Sequence, residues 1–401
     1  MDDKYTDLAL VEGAKSLAVR LAERASEAEK NRALHPETVQ ELHEAGILAM
    51  GIPKSLGGRE ANLVTLMQVY ETLAGACPST AWCVGNHTGA VRRLNEVMGE
   101  AAEPYLRAVA DEGAVVAHGV VPTGDTRSAP GGFVSSGRWP FMSFSNYARW
   151  AVLSTMAPGP PPDRPSDAAG EPPKMHGRHL IVPFAHKGVT LHDNWHTMSL
   201  RATSSNDITL DEVFVDEAAA PATPSRQSDA DVPPALRVPV GTSYAPPCTV
   251  LGIAQAAIKD TIEYAKSAGM SYGGASRIST PGNQFAIAEA AMLVESARAY
   301  LLQEATAIVD KAFRGEPFER GDGIRMRMAG HMARQNSQKA VEGLWVIRGA
   351  HGLYEEEKFE RYYRDVRIGT LPAPTAPDRV REQVGKFLFD IPENVEPRWG
   401  G

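Results

Sequence analysis

The sequence predicts an α+β protein whose helices and strands occupy separate stretches of the chain. Apolar residues recur at helical spacing over the first 110 residues and again from about residue 245. The stretch between them holds short apolar runs bounded by Gly, Pro, Asp and Asn, as strands do. Segregation of this kind is typical of α+β folds. We therefore predict an N-terminal helical domain at 1–112, a central antiparallel β-domain at 113–240 and a C-terminal helical bundle at 241–401.

The N-terminal region is predicted to be helical throughout. Apolar residues at i, i+3, i+4 and i+7 mark an amphipathic helix over 6–30. A second helix begins at Pro36, because a first helical turn tolerates proline. The same periodicity returns over 63–73 and 82–94.

The central region is predicted to be a compact set of short strands. A β-branched run covers 114–121, and Gly131-Gly132 marks a hairpin turn into the next strand. Further strands are expected over 149–156, 179–184 and 207–215. Two proline-rich stretches, 157–175 and 216–240, are expected to be a solvated loop and a connector.

The C-terminal region returns to helical periodicity. We predict helices over 250–267, 281–313, 323–351 and 378–388. The second and third are long enough to form a bundle.

Composition excludes several classes of protein. The formal net charge is -8, and no basic patch stands out, so neither nucleic acid nor an anionic membrane is an expected partner. The 3 cysteines do not form a disulfide framework. The acidic N-terminus does not have the pattern of a signal peptide, and no apolar run approaches the roughly 20 residues of a membrane span. We expect a cytoplasmic enzyme.

Common chemical motifs are missing from the sequence. It has no dinucleotide-binding Gly-x-Gly-x-x-Gly, no phosphate loop and no Gly-x-Ser-x-Gly elbow. His192 and His196 are four residues apart, but they lie in a strand-and-loop context, so we predict no metal site. Motifs of this kind therefore leave the activity open.

Three stretches resemble one family. ALHPETVQELHEAGILAMGIPKSLGG (33–58) resembles the N-terminal helix pair and entry turn of the acyl-CoA dehydrogenase fold. LGIAQAAIKDTIEYAKS (251–267) is similar to the first helix of its C-terminal four-helix bundle, and LWVIRGAHGLYEEEKFERYYRDVR (344–367) is similar to its closing helix and loop. The resemblance implies an acyl-CoA dehydrogenase-like fold over nearly the whole chain.

Other stretches resemble a subgroup, the two-component flavin-dependent monooxygenases. These are VVPTGDTRSAPGGFVSSGRWPFMSFSNYARWAVL (120–153), PSTAW (78–82) and NWHTMSLRATSSNDITLDEVFV (194–215). The resemblance implies that reduced FAD or FMN arrives from a separate flavin reductase. A hydroperoxide at flavin C4a, formed with O2 as co-substrate, then oxygenates a small, aromatic or heteroaromatic substrate. It also implies a homotetramer.

Two alternatives remain open at this point. A classical acyl-CoA dehydrogenase is expected to carry a Tyr-Glu-Gly-Thr type loop after the Arg-Asp of its last helix, whereas the nearest equivalent of that glutamate here is Ala373. An acyl-CoA dehydrogenase or oxidase would therefore need a relocated base. The relatives that hydroxylate phenols often carry a histidine in this region, where the chain has Leu371 and Pro372. The second alternative is a binding or assembly protein that kept only the scaffold.

The resemblance nominates three catalytic residues. Ser143 would place a hydroxyl beside flavin N5. His118 would move a proton to or from substrate or peroxide, since its pKa lies near working pH. His87 is a candidate for the pocket. A serine facing solvent and two structural histidines are the alternatives.

Further residues are nominated to bind the flavin. Trp139 and Phe141 would either wall the isoalloxazine ring or pack the β-domain core. Thr203, Ser204 and Ser205 match a loop that contacts the ring, although Ser, Asn and Asp also favour plain turns.

The C-terminal region supplies the remaining nominations. Arg277 resembles a position that meets flavin phosphate across a subunit interface, a contact that suits the fork of an arginine. Gln284, His351 and Thr375 are carried over from the resemblance as cofactor-binding residues.

Overall fold

Helices occupy both ends of the chain and strands its middle, which confirms the α+β prediction. A computed structural model describes residues 3–159, 175–223, 232–238, 245–267, 276–371 and 376–392. The helices are α1 (Leu8–Asn31), α2 (Pro36–Glu44), α3 (Leu63–Ala76), α4 (Pro78–Met98), α5 (Glu103–Glu112), α6 (Ala245–Ser267), α7 (Pro281–Arg314), α8 (Arg320–Gly343), α9 (Trp345–Arg348), α10 (Lys358–Asp365) and α11 (Pro377–Leu388). The strands are β1 (Val115–Gly119), β2 (Asp125–Ala129), β3 (Gly132–Met142), β4 (Ala148–Pro158), β5 (Met175–Pro183), β6 (Val189–Leu191) and β7 (Asn206–Asp216).

The N-terminal helices begin at residues whose chemistry favours a helix start. Asp7 caps α1 by accepting a hydrogen bond from the Leu10 N–H, and Asn62 caps α3 by accepting two backbone amides. Pro78 occupies the first turn of α4, where a missing N–H costs nothing.

The strands form two sheets. Three strands pair in the order β1-β4-β5, and four pair in the order β2-β3-β7-β6. The prediction of an antiparallel β-domain holds for every described strand pair except β1 with β4, which is parallel. A parallel pair needs a crossover, and here the β2–β3 hairpin of the other sheet provides it.

Two strands were not predicted, β2 and β6. The first is polar and shows no apolar alternation, and the second has only three residues, too few to give a periodic pattern. The predicted loop 157–175 is shorter at both ends, because β4 and β5 extend into it. Its interior, 160–174, lies outside the described residues, as do 224–231 and 239–240 of the predicted connector.

The C-terminal helices pack against the N-terminal ones. A side chain on Gly252 of α6 would overlap the carbonyl oxygen of Glu71 on α3, so this crossing requires glycine. The Glu71 carboxylate in turn accepts a hydrogen bond from Arg298 of α7 at 2.7 Å. One apolar cluster therefore runs through the helices of both ends and includes Val115 and Phe144 from the β-region.

One helix is shorter than predicted. The sequence predicts continuous helix over 323–351, whereas α8 ends at Gly343 and is followed by α9 and a 3₁₀ turn, Gly349–Leu353. Gly343 is a poor helix former, and Gly349 has φ of 56°, which a continuing helix does not allow. Of the helices in the described ranges, none is long and apolar enough to cross a membrane.

Candidate active site

Three buried hydroxyl groups meet where β3 ends and β7 begins. Ser143 follows β3, and Thr203 and Ser205 lie in the turn before β7. They meet because β3 and β7 pair antiparallel with Met142 opposite Asn206. The Ser205 Oγ lies 2.7 Å from the Ser143 Oγ and 2.7 Å from the Thr203 Oγ1. We call Ser143, Thr203 and Ser205 the hydroxyl network.

The N-terminal helices reach the hydroxyl network through Trp82. This half-buried residue lies near the start of α4, and its Nε1–H donates to the Ser143 Oγ at 3.2 Å. Trp82 ends the stretch PSTAW (78–82), which resembles the monooxygenase subgroup. Nothing in one sequence shows where an indole N–H points, so Trp82 itself was not nominated.

The C-terminal helices reach the same turn through Asp365. Its carboxylate on α10 accepts a hydrogen bond from the Leu200 N–H at 2.7 Å. Burial raises the pKa of Asp365 to about 7, and the charge of Glu29 adds to the rise. Asp365 follows Arg364 in the stretch 344–367, which resembles the closing helix and loop of the family, but no role was predicted for it.

Leu200 connects Asp365 to the hydroxyl network. It adopts φ of 50°, a left-handed conformation that is strained for a leucine. Its carbonyl oxygen accepts hydrogen bonds from the Thr203 Oγ1 and the Trp195 Nε1, each at 3.0 Å. All three regions of the chain therefore fix the position of this turn.

An exposed aromatic ring lies two residues before Ser143. Phe141 is 66% exposed and adopts φ of 62°, in the stretch of β3 where the pairing with β7 loses its register. Its ring meets that of Trp195 edge to face, with 6.3 Å between the centroids. A bulky residue held in this strained conformation with its ring uncovered is more typical of a binding surface than of a core.

The other nominated residues of the β-region lie inside the fold. Trp139 is fully buried among the strands and donates its Nε1–H to the Ser154 carbonyl at 2.9 Å. With no exposed surface it has no face to offer a flavin, and the core role is the one observed. Ser204 is buried with φ of 41°, and its carbonyl accepts a hydrogen bond from Ser145 Oγ at 2.6 Å. Ser204 therefore shapes the turn between Thr203 and Ser205.

His87 has a structural role. The Val116 N–H donates to its Nδ1 at 3.1 Å, which leaves the proton on Nε2 to bond the Leu48 carbonyl at 3.0 Å. Burial lowers the pKa of His87 to about 4. Neither ring nitrogen is free to exchange a proton with a substrate, so the catalytic role predicted for His87 is not supported and the structural alternative is observed.

The structure separates His118 from the hydroxyl network. Side chains alternate along β1, and Ala117 faces the cluster that contains Met142, so His118 faces the opposite side. There its ring lies 6.5 Å from that of His179 between centroids. Burial, and to a smaller extent the charge of Arg93, lowers the pKa of both rings to about 3. Among the described residues no hydrogen bond or ring contact joins His118 to the hydroxyl network, so its catalytic role stays a prediction.

The nominated residues of the C-terminal region form a separate group. Arg277 is half-buried and donates to the Ile347 carbonyl at 3.3 Å. Gln284 is exposed and donates to the Ile278 carbonyl at 3.0 Å, and His351 is exposed. Among the described residues none of these three contacts the hydroxyl network. Thr375 lies outside the described residues.

Family models identify the fold. The acyl-CoA dehydrogenase N-terminal domain matches residues 8–111, and the acyl-CoA dehydrogenase C-terminal domain matches residues 247–373. Together they account for most of the helical regions at both ends of the chain. The chain belongs to the acyl-CoA dehydrogenase family.

Individual relatives indicate a subgroup of that family. The chain is 25% identical to a pigment production hydroxylase of a Rhodococcus species, over 98% of both chains. It is 26% identical to the oxygenase component of an FADH2-dependent resorcinol hydroxylase of a Rhizobium species, over 92% of this chain and 90% of the relative. Among solved structures, XiaF from a Streptomyces species in complex with FADH2 and glycerol matches with a TM-score of 0.87 and 26% identity, over 96% of both chains.

Proposed function

We propose that this protein is the oxygenase component of a two-component flavin-dependent monooxygenase. It uses reduced FAD or FMN and O2 to oxygenate a small aromatic or heteroaromatic substrate. The full-length similarity to an FADH2-dependent hydroxylase component and to XiaF supports this function. The observation in the molecule itself that supports it best is the hydroxyl network beside the uncovered ring of Phe141.

The residues present suit a flavin. Phe141 offers an exposed ring against which an isoalloxazine can stack. Ser143 offers a hydroxyl held by neighbours on two sides, so its position does not depend on the ligand. When bound, a reduced flavin supplies the two electrons with which O2 is divided between the product and water.

The chain's own contribution would be to hold the flavin in place and to shield it from water. Ser143 provides a fixed polar atom. Phe141 and Trp195 would provide apolar surface that excludes water from a flavin bound beside them. Exclusion of water matters because it slows the unproductive release of hydrogen peroxide.

A separate reductase supplies the reduced flavin. The relatives named as oxygenase components support this partner. The sequence also lacks the dinucleotide-binding motif that a reductase could use to hold NADH. Delivery by diffusion between two cytoplasmic proteins is the arrangement we propose.

A homotetramer is the assembly we propose. Large apolar side chains on the C-terminal helices are exposed in the single chain, among them Phe285 (71%), Met292 (65%), Leu388 (69%) and Phe389 (80%). Uncovered apolar surface of this kind is typical of subunit interfaces. Arg277, Gln284 and His351 lie in the same region, which supports their proposed role at a flavin site shared between subunits.

The test is an anaerobic titration of the purified protein with reduced FAD and reduced FMN, followed by mixing with oxygenated buffer. We expect a protein that is nearly colourless as purified, saturable binding of a reduced flavin and a near-ultraviolet transient before oxidised flavin appears. Tight binding of oxidised FAD that acyl-CoA bleaches would contradict the proposal and indicate a dehydrogenase. Failure to bind flavin in either redox state would indicate a scaffold protein.

A further inference from the structure

The hydroxyl network has only one proton order in which every hydrogen bond is made. A carbonyl can only accept, so Thr203 gives its hydroxyl proton to the Leu200 oxygen. The Thr203 Oγ1 must then accept from Ser205, and the Ser205 Oγ must accept from Ser143. An indole can only donate, so Trp82 donates to the Ser143 Oγ. The three hydroxyl protons therefore all point along the network from Ser143 toward Leu200.

This order leaves Ser143 with a single unused function, that of an acceptor. A hydroxyl has one proton and two lone pairs. The proton is committed to Ser205 and one lone pair to Trp82, and no other bond to the Ser143 Oγ occurs among the described residues. The remaining lone pair can bind a donor, whereas an acceptor placed there would meet a lone pair and no hydrogen.

We propose that Trp82, Ser205 and Thr203 are positioning residues that hold the Ser143 hydroxyl as an acceptor and so select reduced over oxidised flavin. The inference rests on the proposed function and on the position of flavin N5 beside Ser143, which the family resemblance implies. A reduced flavin carries a hydrogen on N5 and can donate to that lone pair. An oxidised flavin has a bare N5, which can only accept.

The carbonyl of Leu200 favours this order, and it also accepts from the Trp195 Nε1 and the Thr203 N–H. Reversal would require Thr203 to withdraw its proton from that buried oxygen and turn it toward Ser205. Leu200 cannot move aside easily, because Asp365 holds its N–H at 2.7 Å. Asp365 on α10 therefore helps to hold in place the oxygen that accepts the Thr203 proton.

The decisive variant is Thr203→Val, which keeps the shape of the side chain and removes its hydroxyl. Ser205 then has no acceptor at position 203 and can donate to Ser143, whose own proton turns outward to meet a bare N5. We expect the ratio of the Kd for oxidised FAD to the Kd for reduced FAD to fall roughly tenfold, since about one net hydrogen bond changes sides. A tenfold change lowers the midpoint potential of the bound flavin by about 30 mV.

Three further variants distinguish a change in the orientation of the Ser143 hydroxyl from a general loss of structure. Ser205→Ala removes the acceptor of the Ser143 proton and should lower the same ratio. Thr203→Ser keeps the hydroxyl and should keep the wild-type ratio. Thr126→Val removes a buried threonine hydroxyl that bonds Ser135 and Thr155 in a different cluster of the β-region, and it should leave the ratio unchanged.

Each outcome decides the question. A lowered ratio in Thr203→Val and Ser205→Ala, with wild-type ratios in the two controls, supports the proposal. If Thr203→Val weakens both redox states equally, or if the wild type binds both equally well, the orientation argument fails while the proposed function stands. A wild-type protein that binds no flavin overturns both.

Discussion

At the residue scale, the role of a polar side chain is decided by which of its atoms are already bonded. His87 and Ser143 are both buried, and sequence reasoning nominated both as catalytic. Each ring nitrogen of His87 already has a backbone partner, whereas Ser143 retains an unused lone pair. Of the two residues, only Ser143 therefore has a lone pair left for a ligand.

Removal of the Ser143 hydroxyl tests this assignment. We expect Ser143→Ala to lower the amount of product formed per flavin oxidised severalfold, because a net hydrogen bond of about 1 kcal/mol to the flavin is lost. The measurement compares product with hydrogen peroxide after single turnover. Ser135→Ala, which removes a buried serine hydroxyl bonded to Thr126 in the other cluster, is the matched control. Equal coupling in the two variants would contradict the role of Ser143.

Asp365 makes a prediction about pH. Its pKa of about 7 lies above the ordinary value of 3.8, so the folded state holds the proton more tightly than the unfolded state does. The stabilisation this gives is complete below about pH 4 and is lost as the pH rises toward 7. Its size is on the order of 4 kcal/mol, from about 1.4 kcal/mol per unit.

The matched variant is Asp365→Asn, which stays neutral and keeps an oxygen for the Leu200 N–H. We expect its melting temperature relative to wild type to rise between pH 5 and 8, since only the wild type loses stabilisation over that range. Thermal unfolding at several pH values measures the difference. A difference that does not change with pH would show that Asp365 is ionised throughout.

At the element scale, the irregular end of β3 places the candidate site. The pairing of β3 with β7 loses its register between Trp139 and Met142, and this turns Phe141 outward while Trp139 and Met142 stay buried. Such irregularities often mark sites where a strand presents a side chain. Phe141 keeps its strained φ although its ring is largely exposed and meets Trp195 edge to face, a combination that is expected where strain serves binding.

Phe141→Gly tests whether that strain serves binding. Relief of a left-handed conformation gains about 1–2 kcal/mol, and the greater freedom of glycine in the unfolded chain offsets about 0.5–1 kcal/mol. We expect a small rise in the free energy of unfolding together with weaker binding of reduced flavin. Phe214→Gly is the control, because Phe214 is exposed on β7 without positive φ and the change should destabilise. A destabilised Phe141→Gly would contradict the argument.

At the scale of the whole molecule, the helices of both ends of the chain meet at the β-region. Trp82 comes from α4 and Asp365 from α10, and both act on the stretch that carries the hydroxyl network. The site is thus a product of the assembled chain, since no single region supplies all its contacts.

Assembly beyond the single chain is testable at the C-terminal helices. We expect Leu388→Glu with Phe389→Glu to reduce the mass of the proposed tetramer, because two charges would be buried in an apolar contact. Sedimentation velocity measures the mass. Val19→Glu changes a residue that is 65% exposed on α1 and should leave the assembly intact. An unchanged mass in the double variant would place the interface elsewhere.

The helices could be predicted from the sequence because their signals are local. Periodicity over 6–30 and 281–313 predicted α1 and α7 closely, and proline marked the start of α2, whereas α4 begins at Pro78, ahead of the predicted 82–94. The strand β2 was missed because it is polar and shows no apolar pattern, and the parallel pairing of β1 with β4 was missed because the two strands are distant in sequence.

The chemistry of the site shows the same division. The sequence alone determined the α+β organisation, the family and the stretches around Ser143 and Ser205, because those depend on residue type and order. Only the tertiary structure decided that His87 is satisfied, that His118 faces the other side of its strand, and that Trp82 and Asp365 converge on one turn. Hydrogen-bond satisfaction is a property of pairs of atoms in space, so no single sequence can show it.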